Sequence, residues 1–364
     1  MSRIQRIGVV LFLIGLFPFN RAMALEKPDV TYKIFQFPAN MIPRIDGNDD
    51  DWSMVPDSYW IGMDQMVNDN DKTVKPDPKR FDARVKVGWV KGDSKLYFLY
   101  EATKSYWDFS LPSLHNDTFE IVVDADRSGG PFIAEQHPDV ATLGKWNLYM
   151  SFQNTHAQNY HIFTPAQDKD WCMVWGPQSW LKELPFANAA YKYDFKPGEA
   201  GKLTLEFFVT PFNFASADGA AKSTISTLTE NQVIGLCWAF IDYGDVTSTK
   251  NKYFWNLSDQ HTMYGNASQL CQFKLMPLED QFKKPIAAHW SFKVVDMDRR
   301  LVAFKDESEG NPTSWHWDFG DGTTSDEQHP IHTYKNPGAY VVVLDIVGAA
   351  GKSRLSKVWD VVVK

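Results

Sequence analysis

The stretch Trp315-His316-Trp317-Asp318-Phe319-Gly320-Asp321-Gly322, continuing through Thr-Thr-Ser-Asp-Glu-Gln-His-Pro-Ile to His332-Thr333-Tyr334, reads as a β-strand, a tight turn and the approach to a second strand. Trp315 and Trp317 stand two apart and share one face of a strand, with His316 and Asp318 on the other. Gly320 and Gly322 bracket an Asp that can bond its own backbone, and glycine takes positive φ at no steric cost. Downstream, Pro337-Gly338 turns the chain into residues 339–347, a valine-rich apolar run that reads as the partner strand.

These residues resemble the signature of the polycystic kidney disease (PKD) domain: Trp-Asp-Phe-Gly-Asp-Gly at 317–322, His-Thr-Tyr at 332–334 and Pro-Gly-x-Tyr at 337–340. The resemblance covers the last quarter of the chain, taken as residues 281–364. It implies a small immunoglobulin-like β-sandwich, extracellular in habit, that serves as a spacer or accessory module. Asp318 and Asp321 are expected to form the turn, although some members of that family hold calcium nearby. The active part of the protein must then lie upstream.

At the other end, residues 1–24 have the layout of a cleavable secretory signal. Arg3 and Arg6 precede an apolar run over 7–19, and Ala22-Met23-Ala24 is a small-x-small site with cleavage expected after Ala24. The run is too short to span a bilayer and no other stretch is long enough, so the protein is expected to be secreted, periplasmic or at the cell surface. Formal net charge is -8, and removal of Arg3, Arg6 and Arg21 leaves the body more acidic still. An acidic body without basic runs argues against nucleic acid and anionic lipid as partners. The cysteines Cys172, Cys237 and Cys271 are odd in number and too far apart in sequence for a close-set zinc pair. Cys172 and Cys237 each lie beside a Trp in an apolar run, which points to buried free thiols.

Between these ends, residues 25–280 read as an all-β body. Residues 32–37 alternate like an opening edge strand, and 83–90 with 95–102 form a hairpin around Lys91-Gly92-Asp93-Ser94. Further strands are expected at 117–124, 202–210, 250–255 and 270–275. Residues 233–241 are continuously apolar, as for a strand covered on both faces. Residues 147–153 and 159–163 are expected to form a strand pair. Residues 164–200, interrupted by Pro165, Pro177, Pro185 and Pro197, are expected to be irregular. Short strands separated by Gly, Pro and Asn turns argue for a β-sandwich. The polar stretch 276–287, with Pro277 and Pro285, marks the boundary to the second domain.

The order of these pieces resembles a family 9 carbohydrate-binding module. The opening motif is Ile45-Asp46-Gly47 with Trp52, followed by the hairpin Val85-Lys86-Val87-Gly88-Trp89 to Leu96-Tyr97-Phe98-Leu99. Then come Asn116-Asp117-Thr118-Phe119-Glu120-Ile121-Val122-Val123-Asp124, Gly235-Leu236, Phe254-Trp255 and Tyr264-Gly265. The resemblance implies two antiparallel sheets and a saccharide ligand. The two Trp side chains that grip sugar in that family are not matched: the first position falls near Leu114, with Trp107 upstream, and the second near Trp255 and His261. Glu120 alone occupies its family place, as a hydrogen-bonding partner.

A sugar ring packs its C–H face on an aromatic, while its hydroxyls need planar polar partners. With 14 Trp, the chain can supply platforms as well as core. Trp171, Trp175 and Trp180, interspersed with Gln178 and Lys182, meet the requirement, as do Tyr106 and Trp107 beside Asp108, and Trp255 near the closing loop. Trp89 and Trp238 lie inside apolar strands and are expected in the core. Glu120 shares a strand face with Thr118 and Val122. Asp46 and Asp49, and Asp124 with Asp126, are calcium candidates whose competing role is a solvated turn. The expected partner is thus a polysaccharide or oligosaccharide. A second expectation is a polysaccharide hydrolase or lyase, although no motif singles out a carboxylate pair. His156 and His161 are candidates for a lyase or a metal site, or simply flank a turn. A third expectation is a haem-binding sandwich with Met150 and His161 as ligands.

Overall fold

Period-two and continuous apolar runs become strands of two face-packed layers in the computed structural model, which describes residues 25–39, 41–109, 116–167, 169–244, 250–283, 285–348 and 351–364. The expected signal segment 1–24 and Leu114 lie outside these residues. The chain divides into two compact units, Met1–Met276 and Pro277–Lys364.

In the first unit, β1 (Glu26–Phe37) belongs to both layers. It pairs in parallel with β10 (Cys271–Leu275) through Thr31 to Ile34, then with β2 (Phe81–Val90) through Phe35 to Phe37. One layer continues from β10 to β8 (Val233–Asp242), β4 (Thr118–Asp124), β5 (Gln158–Phe163) and the short strand Cys172–Met173, with β9 (Tyr253–Asn256) alongside β8. The other runs from β2 through β3 (Asp93–Lys104) and β7 (Gly201–Val209) to β6 (Ala187–Tyr193). Aromatics close the interface between layers. Across it Tyr100 stacks on Phe119 at 4.9 Å and Phe119 meets Phe207 edge-on at 5.7 Å, while Phe207 stacks on Phe98 of its own layer at 4.5 Å. Each such ring contributes about 4–6 kcal/mol by buried area, before chain entropy is counted.

Two expectations for this unit are corrected. Residues 147–153 are not a strand: Lys145–Phe152 is an α-helix, α2, following the short α1 (Val140–Leu143). A strand there would have to bury Leu148, Met150 and Phe152 together, whereas only Leu148 is buried and Met150 faces solvent. Residues 164–200 are not wholly irregular either. Ala187–Tyr193 pairs with β7 along its whole length, and the cross-strand bonds override its poor intrinsic β-propensity.

The second unit is a smaller sandwich. One sheet holds β11 (Trp290–Asp296), β12 (Leu301–Asp306) and β14 (Ile331–Thr333), and the other holds β13 (Pro312–Asp318), β15 (Gly338–Gly348) and β16 (Gly351–Val363). Trp317 is fully buried against Trp290 and Phe304, and Trp315 packs at the margin of the same core. Asp318 and Asp321 accept bonds from the backbone N–H of Gly320 and Thr323 at 2.9 and 3.1 Å, which makes both turn formers.

Candidate functional site

Phe119 and Ile121 of β4 point into the core, so Glu120 between them projects to the outer face of the first layer. Register places Glu120 opposite His161 on β5 and opposite Ala239 on β8, while Asn159 lies two residues from His161 on the same face. Glu120 is 1% exposed. Its Oε1 accepts from Asn159 Nδ2 at 2.8 Å and meets His161 Nε2 at 3.0 Å. Burial pushes this carboxyl up, but the His161 ring and the Asn159 amide more than offset it and hold Glu120 below the usual carboxylate range.

That pairing fixes what its partners offer. With Nε2 on Glu120, His161 turns its Nδ1 away from that carboxylate; Nδ1 accepts in the imidazole and donates in the imidazolium. His161 Nδ1 and Asn159 Oδ1 are buried and have no hydrogen-bond partner among the described residues. Both residues line a cavity of about 440 Å³, walled by Trp175, Tyr149, Tyr264 and Ile133, with Glu135 and Gln153 completing the lining. An unpaired buried acceptor costs about 1–3 kcal/mol, which a hydroxyl donor from a ligand would recover.

The walls are held from behind. Trp175 is 42% exposed and stands edge to face with His161, ring centres 6.2 Å apart. Its carbonyl accepts from Asn154 Nδ2, while Asn154 Oδ1 accepts from the backbone N–H of Asn159 at 2.6 Å. Asn154 is fully buried with φ +53°, a conformation Asn tolerates better than most residues. Gly176 follows at φ +97°, where a Cβ would come within 2.6 Å of Gln153 Cγ. Tyr264 supplies its carbonyl to Asn159 Nδ2 at 2.9 Å from the short turn His261–Tyr264.

The other expected site residues are dispersed. Trp107 is corrected to a core residue: it is 1% exposed, stacks on Phe195 at 5.0 Å and 3°, and donates Nε1–H to the Gly201 carbonyl. Trp255 is likewise 1% exposed and stacked on Tyr253, so neither ring offers a free face. Trp180 is wedged between Phe186 and Phe212 with its N–H on the Ser216 carbonyl, and Trp171 packs half-buried against the core. Tyr106 is half-buried near Gly198. Trp89 and Trp238 are fully buried. Of the seven expected ligand-contacting residues, Glu120 and Trp175 alone are brought to the cavity, and Glu120 acts beneath it.

The carboxylates named as calcium candidates cap turns. Asp124 accepts from the N–H of Ser128 and Gly129 at 3.1 and 2.8 Å, and burial pushes its carboxyl up to about 7. Asp126 also accepts from Ser128 N–H, Asp46 caps Asn48, and Asp49 begins a 3₁₀ turn. Among the described residues no group of three or more His, Cys, Asp or Glu could hold a metal ion. Met150 is exposed on α2 and is not among the residues that line the cavity with His161. His156 is exposed, with its ring on the Asn213 carbonyl. All three cysteines are buried and free.

A second buried charge group is internally balanced: Lys104 lies 2.5 Å from Asp117 and 2.9 Å from Asp242, which also pairs with Arg80 at 2.7 Å. The space beside it is about 10 Å³, enough for little more than one water, so this cluster is structural.

A PKD-domain family model matches residues 284–363. Residues 284–363 are a PKD domain. A stretch of 53 residues is 45% identical to collagenase ColQ1 of Bacillus cereus, covering 15% of this chain and 5% of that protein. The chain thus spans a small fraction of the length of this curated relative. Among solved structures, a family 9 carbohydrate-binding module from Caldicellulosiruptor kristjanssonii, solved with cellotriose, is similar at TM-score 0.43 and 15% identity, over 70% of this chain and 98% of that one. The PKD1 domain of the Vibrio cholerae metalloprotease PrtV is similar at TM-score 0.19 and 28% identity, over 20% of this chain and 93% of that one. Among the described residues no helix is long and apolar enough to cross a membrane.

Proposed function

We propose that the first unit is a secreted saccharide-binding module that holds its ligand in the Trp175 cavity, and that the PKD domain serves it as a spacer. The observation that carries this is the pairing of an exposed indole with two unpartnered buried polar atoms, Asn159 Oδ1 and His161 Nδ1, on one cavity. A pyranose presents what that arrangement lacks: a C–H face for Trp175 and hydroxyls, which both donate and accept, for the polar atoms. Glu120 is a positioning residue, since its carboxylate orients both partners from below and reaches no ligand itself. Secretion is supported by the amino-terminal Arg3, Arg6, apolar run and Ala22-Met23-Ala24.

The test is a glycan array followed by calorimetry on the full chain and on Trp175→Ala. Binding to a neutral glycan that falls at least tenfold in the variant, at unchanged melting temperature, supports the assignment. Equal binding by both proteins removes it.

A second reading rests on the Glu120–His161 pair. A carboxylate that orients an imidazole and leaves its other nitrogen free is also how a general base is built. On that reading the protein is a polysaccharide hydrolase or lyase. Release of reducing ends from a polysaccharide panel, lost in His161→Gln, would favour it over simple binding.

A further inference from the structure

We infer that the saccharide site continues out of the cavity along α2, with Tyr149 and Trp146 as a second aromatic platform, so that the ligand is a chain of several sugar units. This rests on the saccharide reading above and extends it to substrate class. Trp146 and Tyr149 stand three apart on α2 and therefore lie side by side on its surface. Their rings stack on one another, 17° apart with centres at 5.8 Å, so each covers one face of the other and the pair acts as a unit. Tyr149 lines the cavity, whereas Trp146 is 71% exposed. The platform therefore begins inside the site and ends in solvent.

Apart from its stacking on Tyr149, Trp146 is open to solvent. Leu148 is the one residue of α2 that the core buries, and Leu143 and Met150 beside it are also exposed. An exposed apolar patch continuous with a cavity marks a binding surface. The helix is also aimed deliberately. Gly144, at φ +75° and ψ 153°, separates α1 from α2 in a conformation essentially confined to glycine. Asn147 Nδ2 then donates to the Leu143 carbonyl at 2.8 Å and holds the corner.

The chemistry around the platform selects the occupant. Lys145, next to Trp146 in sequence, forms an ion pair with Glu135 of the cavity lining at 3.4 Å, so the rim has no basic excess to draw in anionic lipid. Flat rings among small polar groups suit successive sugar faces, because stacking on aromatics tolerates a repeating ligand.

The experiment is calorimetry of the full chain with glucan, xylan and chitin oligosaccharide ladders from one to six units, on wild type, Trp146→Ala and Trp175→Ala. We expect wild-type affinity to rise about tenfold or more between the shortest and longest bound members. Trp146→Ala should erase that rise and leave the affinity for the shortest unchanged, at unaltered melting temperature. Trp175→Ala should weaken every member. If wild type binds short and long members equally, and Trp175→Ala still abolishes binding, the chain inference falls while the cavity assignment stands. If no ladder binds, or Trp175→Ala changes nothing, both fall together. A concentration-dependent dimer that dissolves in Trp146→Ala would also overturn the inference, by assigning the patch to a second copy.

Discussion

Replacing Glu120 with Gln should destabilise the first unit by about 1–4 kcal/mol, because the change preserves volume but removes the charge on which the pair rests. The carboxylate now receives two bonds, from Asn159 Nδ2 at 2.8 Å and His161 Nε2 at 3.0 Å, in a place that is 1% exposed. Hydrogen bonds to a charged group contribute about 1.5–3 kcal/mol each, against about 1 kcal/mol for a neutral one. Both donors meet one oxygen, Oε1, and a glutamine carbonyl placed there can accept from both, but as a neutral acceptor. Two charge-assisted bonds become neutral ones, a loss of about 0.5–2 kcal/mol each. A unit of this size shifts by about 2–4 °C per kcal/mol, so differential scanning calorimetry should record a fall of roughly 2–15 °C. Glycan affinity should fall as well, since Asn159 and His161 lose their common anchor. A transition that moves by less than about 1 °C would refute the argument, since the pairing seen at Glu120 would then hold nothing in place.

The same group sets a pH dependence. Glu120 is held below its ordinary value, so its stabilisation is present above the unfolded pKa, about 4.3, and is lost as pH falls through the folded value. The stability gap between wild type and Glu120→Gln in urea titrations should therefore narrow from pH 7 toward pH 3; a constant gap would count against it. Trp107→Ala should cost about 3–5 kcal/mol in the same titrations, as for a fully buried indole, rather than weaken binding in a protein of normal stability. Asn154→Ala removes the link between Trp175 and β5, and should lower glycan affinity while costing about 1–3 kcal/mol. Lys104→Met leaves Asp117 without its main cation and should cost about 3–5 kcal/mol; an unaffected midpoint would show that cluster to be dispensable.

Much of the architecture was legible along the chain. Period-two runs such as 81–90 and the continuous run 233–242 announce half-covered and fully covered strands, and the PKD signature is local because its turn needs Gly320 and Asp321 at fixed offsets. Glu120, His161 and Trp175 could be picked out singly, each being a polar or aromatic residue of the right kind. α2 was misread because Leu148, Met150 and Phe152 alternate as a strand would, and only tertiary packing decides that Met150 faces water. With that helix missed, Tyr149 and Trp146 could not be placed.

What the amino-acid order determined by itself is the class of fold, the two-part layout and the expectation of a secretory leader, because these follow from periodicity, composition and turn chemistry within a few neighbours. What only the tertiary structure decided is which indoles have a free face. Trp107, Trp175 and Trp255 are chemically identical in sequence, yet one is 42% exposed while the other two are each 1% exposed. Burial depends on what distant segments, such as the one that lays Phe195 on Trp107, bring against each ring, and no local pattern encodes that.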